Sequence, residues 1–311
     1  MRSARHMRRM PLLPVAPPQA VPIFSGFDYV TVDVERRRVY AAHTGSERLL
    51  ILDADSGKVL GQVKTGSLHG VAVDPISGHV FTGNGADNSV SEVDPVAMKV
   101  LRTTDVGGAV DAVAYDPATK HVYADEDDGT HIYVLDGATM KSVGTVDLPG
   151  HKPEYLDIDP DTHDVYQNIA NLGEYVVVDA KSLKVKRTVV TPEITGNHPL
   201  QYDAALGHVL VGGQNGTVAA YDRTGTLVGK TAIQARVDQC SLDRATHLFA
   251  CAGSGMVTVL RDNPTGAPTI VARATVPAEA HTIGLDARTG QMWIVWAQAD
   301  GDFVQAFKTS P

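Results

Sequence analysis

An apolar pentamer ending in aspartate recurs seven times along the chain. It reads YVTVD to Asp33, GVAVD to Asp74, AVAYD to Asp116, YLDID to Asp159, PLQYD to Asp203, QCSLD to Asp243 and TIGLD to Asp286. Successive aspartates stand 41, 42, 43, 44, 40 and 43 residues apart. Each unit repeats the same grammar. After the aspartate comes a tight turn (PISG, PATK, PDTH, ARTG), then a second β-rich run (RVYAA, HVFTG, HVYAD, HVLVG) and a polar loop. A third run (LLILD, VSEVD, IYVLD) and a second turn lead into a fourth run such as VLGQVKT. Short runs of β-branched residues between turn signals are strands, and no stretch has a helical period.

A period of this length with four strands per unit is that of a propeller blade. The sequence therefore predicts an all-β, seven-bladed β-propeller with four-stranded antiparallel blades. The seventh unit ends after Phe307 without a fourth strand. Ala20-Val21-Pro22-Ile23-Phe24 stands where that strand would be, just before the first unit. We expect it to pair into the last blade and close the ring, which removes open sheet edges. Residues 1–18, basic and then Pro-rich, read as a disordered or extended tail, and 19–311 as a single propeller domain. Pro11–Ala16 is too short and too broken by proline for a signal-peptide core, so the chain reads as cytoplasmic, or as periplasmic or secreted if a leader has been removed.

Blocks such as GVAVDPISGHVFTGNGADNSVSEVD, Gly70–Asp94, resemble the YVTN-repeat or YncE-like propellers. The resemblance spans about residues 20–307. It implies the fold strongly and the function weakly, because that family is diverse and fold does not fix function.

With 311 residues, 43% of them apolar, the chain has ample material for a large core. Its net charge of −9 disfavours nucleic acid as a partner. No apolar run is long enough to span a membrane. Nothing marks an oligomer interface, so a monomer is expected. Cys240 and Cys251 fall on the first two strands of unit six, roughly opposite each other. They read equally as two buried thiols or as a cross-strand disulfide.

The chemistry concentrates five residues before each repeat aspartate, where each innermost strand begins. In chain order this position holds Asp28, His69, Asp111, Glu154, His198, Asp238 and His281. With 36 acids and 12 histidines among 311 residues, seven of seven by chance is roughly one in 500,000, and still roughly one in ten thousand after allowing for about 40 offsets. Three before the aspartate, by contrast, stand Val30, Val71, Val113, Leu156, Leu200, Cys240 and Ile283, which are plain inter-blade core. His79, His121, His163, His208 and His247 fall at the opposite face and read as solvated turn residues. His43, His131 and His151 fall in or beside loops.

Four carboxylates crowded at one mouth repel one another, and a divalent cation relieves that. Three imidazoles with carboxylates suit zinc, iron, manganese or copper. His69, His198, His281, Asp28 and Asp238 are therefore the expected metal ligands. Glu154, with the longest carboxylate arm, and Asp111 are the expected acid–base groups. Tyr29, Tyr155, His151, Lys152 and Arg236 border the ring as candidate substrate contacts. Asn84, Asp87, Glu126, Asp127, Asn168 and Gln214, in loops on the same face, are weaker candidates. The expected function is a metal-dependent enzyme of hydrolase or lyase type acting on a small molecule. The alternative is a non-catalytic propeller binding a protein or cell-envelope ligand, in which the ring is a polar collar. No nucleophile elbow, P-loop, HExxH or dinucleotide fingerprint is present.

Overall fold

The structure is a computed structural model, and it describes residues 10–21 and 26–309. The chain forms seven antiparallel blades arranged in a ring. In every blade the first strand of the repeat unit lies innermost. These inner strands are Val30–Asp33, Leu68–Val73, Val110–Asp116, Pro153–Ile158, Asn197–Asp203, Val237–Asp243 and Thr282–Asp286. Each packs against the inner strands of both neighbouring blades, and the seventh packs against the first. An apolar cluster fills every inter-blade interface. The positions expected as core supply the centre of these clusters, with Val30, Val71, Leu156, Leu200, Cys240 and Ile283 all buried.

The repeat aspartate ends each inner strand and caps the turn that follows. Asp74 accepts the Ile76 N–H at 2.9 Å and the Ser77 hydroxyl at 2.7 Å. Asp116, Asp159 and Asp286 hold their turns in the same way. Four residues after each aspartate the backbone turns left-handed, at Arg37, Gly78, Lys120, His163, Gly207, His247 and Gly290, with φ between 54° and 79°. At three of these positions the side chain reaches back to the repeat aspartate of the preceding blade. Arg37 Nη2 lies 2.7 Å from Asp286, His163 Nδ1 3.1 Å from Asp116, and His247 Nδ1 2.7 Å from Asp203. His247 thus ties two blades together through a hydrogen bond and His163 sits against its neighbour's aspartate, contrary to the expectation of solvated turn residues. His208 also departs from it: it is buried, 2.9 Å from Asp262. The turn reading missed these partners because they lie one blade away in sequence.

Blade seven takes its outer strand from the N-terminus. Gln19–Val21 pairs with Gly301–Thr309, as expected, in the register Gln19↔Val304 to Val21↔Asp302. Pro22, Ile23 and Phe24 lie outside the described residues. Closure also begins earlier than expected. Met10–Pro14 is a strand along the same partner, with Leu12 opposite Thr309 and Pro14 opposite Phe307. It runs parallel to the outer strand of blade six as well, Met10 opposite Ala272. Leu12 is buried in the cluster between blades six and seven, which anchors a segment whose prolines hide its strand character.

Cys240 and Cys251 stand directly opposite in register and form a disulfide. Of the two readings open in the sequence, this is the cross-strand staple.

Candidate functional site

A local irregularity positions the ring residues. In blades two to six the pairing of inner and second strands slips near the ring position, as between Leu68 and Val71, or Val237 and Cys240. Such β-bulges re-aim side chains at strand ends. His69, Asp111, His198 and Asp238 sit inside the bulges. In blade four the bulged residue is Tyr155, next to Glu154, and its φ is 59°. Left-handed backbone at a bulky aromatic residue is costly and marks a position the surroundings hold in place.

The ring forms two groups. In the first, His69 Nδ1 lies 2.6 Å from Asp28 Oδ2 and 3.7 Å from Asp111 Oδ1. Donor atoms of Asp28, His69 and Asp111 all fall within 4.8 Å of one another, the one such set of three among the described residues. Gly85 walls this group, for a Cβ there would meet His69 Nε2 at 2.9 Å. In the second group, His198 Nε2 lies 3.1 Å from Glu154 Oε2 and 3.3 Å from Asp238 Oδ1. His281 Nε2 stands 3.6 Å from Asp238. The three imidazoles therefore do not converge on one point. They belong to blades two, five and seven; His69 and His198 each face carboxylates from both flanking blades, and His281 faces Asp238 of blade six. The spacing of blades around the wall, which the sequence does not contain, decides this.

Crowding and burial shift these groups. Burial pushes the Asp111 carboxyl well above the usual range, and the charges of Asp28 and Asp125 add to this. Burial likewise raises Glu154, against the opposing pull of His198, and raises Asp238. Burial alone would lower His69, but its hydrogen bond to Asp28 and that carboxylate's charge raise it. His198 is raised in the same way, its burial outweighed by Asp238 and Glu154. These are the perturbations of a wet acid–base site.

One functional candidate escaped the sequence reading. Asp125 is fully buried on the second strand of blade three. Its carboxyl accepts the Ala112 N–H at 2.6 Å and Gln167 Nε2 at 2.9 Å, and burial raises it well above the usual range. The signal was present: nine residues after the other repeat aspartates stand Ala42, Gly83, Asn168, Gly212, Ala252 and Val295, none of them charged.

Tyr29 and Tyr155 prove to be the floor of the site. The Tyr29 hydroxyl lies 3.4 Å from Asp111 Oδ2, and its ring centre 5.5 Å from that of Tyr155. The Tyr155 hydroxyl donates to the Cys240 carbonyl at 3.4 Å and accepts from Gln201 Nε2 at 2.7 Å. Gln239 completes the layer, bonding Val30 on both its N–H and C=O and the Ile283 N–H. Residues of blades one, four, five, six and seven thus meet across the channel. Beyond them, at the opposite mouth, lies a cavity of about 390 Å³ that shares Tyr155 and Gln201 and includes Ser241 and Arg244.

The remaining expected contacts lie at the rim. Lys152 is exposed and pairs with Asp128 at 3.0 Å. His151 and Arg236 are exposed, and no hydrogen bond or ion pair joins either to the ring. Asn168 supports the site indirectly, donating to the His198 carbonyl at 2.8 Å. Glu126 is taken up by His131 and Tyr133.

No protein-family model and no curated protein matches the sequence. Solved structures do match in shape. One is a chain of the Kuenenia stuttgartiensis hydrazine synthase, with a TM-score of 0.81 at 16% identity, covering 94% of this chain and 99% of that one. Another is a chain of a mitotic checkpoint complex, with a TM-score of 0.81 at 15% identity, covering 100% of this chain and 96% of that one. At such identities the likeness is one of fold, and these neighbours are propellers.

Proposed function

We propose that the ring is the active site of a metal-dependent enzyme, of hydrolase or lyase type, acting on a small molecule. The observation that carries this reading is the convergence of Asp28, His69 and Asp111 donor atoms within 4.8 Å. One imidazole nitrogen and two carboxylate oxygens suit manganese, iron or zinc, and suit copper less. Three protein donors leave positions for substrate. A bound cation would supply Lewis-acid polarisation of a substrate oxygen. Glu154 and His198, 3.1 Å apart, would move the proton, with Asp238 3.3 Å from the same imidazole nitrogen. Tyr29 and Tyr155 close the floor, so substrate would enter and leave through the same mouth. We also infer a YVTN-repeat relationship, resting on blocks such as Gly70–Asp94.

The test is metal analysis of protein purified without chelator. About one manganese, iron or zinc per chain in the wild type, lost in His69→Ala, supports the reading and directs hydrolase and lyase screens. No stoichiometric metal, even after equilibration with each ion, overturns it. The second reading then stands: a binding propeller whose ring is a polar collar. It is favoured by the way His69 and His198 each hold two carboxylates on one ring nitrogen, an arrangement that links neighbouring blades without a ligand.

A further inference from the structure

A comparison between blades exposes an arginine that has lost its partner. Near the end of the third strand in blades one to five, the facing residue of the outer strand abuts the next blade's turn. In blades one, three and five that facing residue is glycine: Gly61 opposite Ile51, Gly144 opposite Val134, Gly229 opposite Ala220. A Cβ at these glycines would meet Met98, Leu183 or Ala267 of the following blade within 3 Å. In blades two and four the slot holds an arginine. Arg102 stands opposite Glu92, donates to its carboxylate through Nε at 2.6 Å, and reaches the Ala138 carbonyl of the next blade at 2.6 Å.

Arg187 occupies the same slot in blade four, opposite Val177. The carboxylate is absent there, and no hydrogen bond or ion pair joins the Arg187 side chain to any described residue. Its Nε is nevertheless enclosed. A buried guanidinium N–H without an acceptor is destabilising. The next blade's turn offers a second cation, Arg223, which bonds the Tyr202 hydroxyl and the Ala204 carbonyl.

Arg187, Arg223, Lys186, Tyr166, Asp161 and Thr162 border a cleft of about 310 Å³ between blades four and five. Two further acids on its wall are already engaged. Asp159 holds its own turn through the Asp161 N–H and the Thr162 hydroxyl, and Asp164 holds Lys186. Arg187 lines the cleft with a guanidinium that no protein acceptor engages, which leaves it for an oxyanion, and exposed Asp161 offers an acceptor to hydroxyl groups nearby.

We propose that this cleft binds a small phosphorylated polyol, with the phosphate on Arg187. Planar guanidinium forks match phosphate oxygens, and two of them line the cleft. The volume falls at the small end of ligand sites, about 300–1,000 Å³. The site lies away from the Asp/His ring and does not depend on its chemistry.

The test uses the full chain with inorganic phosphate and glycerol phosphate, and acetate at matched ionic strength, read by equilibrium binding and by thermal shift. The wild type should bind both phosphates, glycerol phosphate the tighter, and acetate weakly. Arg187→Ala should weaken phosphate at least about tenfold, the scale of one charge-assisted contact. Arg187→Lys keeps the charge and the apolar stem but not the planar fork, so it should retain the wild-type melting temperature and bind phosphate between wild type and Arg187→Ala, which guards against reading a misfolded alanine variant as a lost site. Equal binding by all three proteins, or no binding to the wild type at tens of millimolar phosphate, overturns the proposal. Arg187-dependent binding of acetate in preference to phosphate overturns it too.

Discussion

His43 Nε2 hydrogen-bonds the Asp302 carboxylate, both side chains are fully buried, and the pair joins the first blade to the seventh. Ser46 fixes the other ring nitrogen at 2.8 Å, Phe27 stacks on the imidazole at 4.6 Å, and the Gly26 N–H donates to Asp302 at 3.2 Å. Removing one partner of a buried pair leaves the other uncompensated, at a cost of about 3–5 kcal/mol. His43→Ala should therefore unfold well below the wild type in a chemical denaturation series. A midpoint within error of wild type would mean the pair does not hold the ring closed.

The N-terminal strands should matter as much. Deleting residues 10–21 removes both segments that line Gly301–Thr309 and exposes a long edge. We expect a lower melting temperature and concentration-dependent association, seen by light scattering. A monodisperse deletion variant with unchanged melting would show that closure rests elsewhere.

Glycine at position 85 leaves room for His69. Gly85→Ala should displace the imidazole and weaken cation binding about 10- to 100-fold, the range for disturbing a ligand's support. Chelator should lower the melting temperature of the wild type, by linkage, and leave His69→Ala unmoved. Equal chelator responses in the two proteins would argue against a cation at this position.

Asp125 gives a pH dependence of defined sign. Its folded carboxyl is raised by burial, so the folded chain holds a proton that the unfolded chain releases above about pH 4. Stability from this group is therefore present below that pH and lost as pH rises through the folded value. Asp125→Asn should be more stable than wild type at neutral pH, with the gap closing below about pH 4. Denaturation midpoints across that range, in chelator, decide it. A gap that does not change with pH would count against the assignment.

The Cys240–Cys251 bridge closes a short loop across one hairpin, with Cα atoms 4.1 Å apart. Reduction, or a Cys240→Ser, Cys251→Ser pair, should cost about 2–4 kcal/mol. Because Tyr155 donates to the Cys240 carbonyl, cation binding at the ring should weaken as well if the floor shifts. Titrating metal into oxidised and reduced protein separates the two effects.

The blades, their strand order and the identity of the ring were legible because each depends on period, and period is written in the chain. Closure by the N-terminus was legible from the missing last strand, though Pro11 and Pro14 hid where it starts. Convergence was not legible. Whether His69 meets Asp28 or His281 depends on how far apart seven blades stand, and no local pattern records that. Asp125 was readable only by comparing one position across blades, as was Arg187. Bulges at Asp111 and Asp238 left no mark beyond the ring residues themselves.

The pairing of Met10–Pro14 with Gly301–Thr309 also sets an order of events. The first described strand leaves the ribosome nearly a whole chain ahead of its partner, an interval of roughly 15 to 60 seconds at about 5–20 residues per second. Throughout it, Leu12 has no pocket to fill and six blades form an open arc. A ring built this way is sealed only once Gly301–Thr309 is made, so a chain that stops short of it would expose both of its unsealed edges to chaperones and proteases.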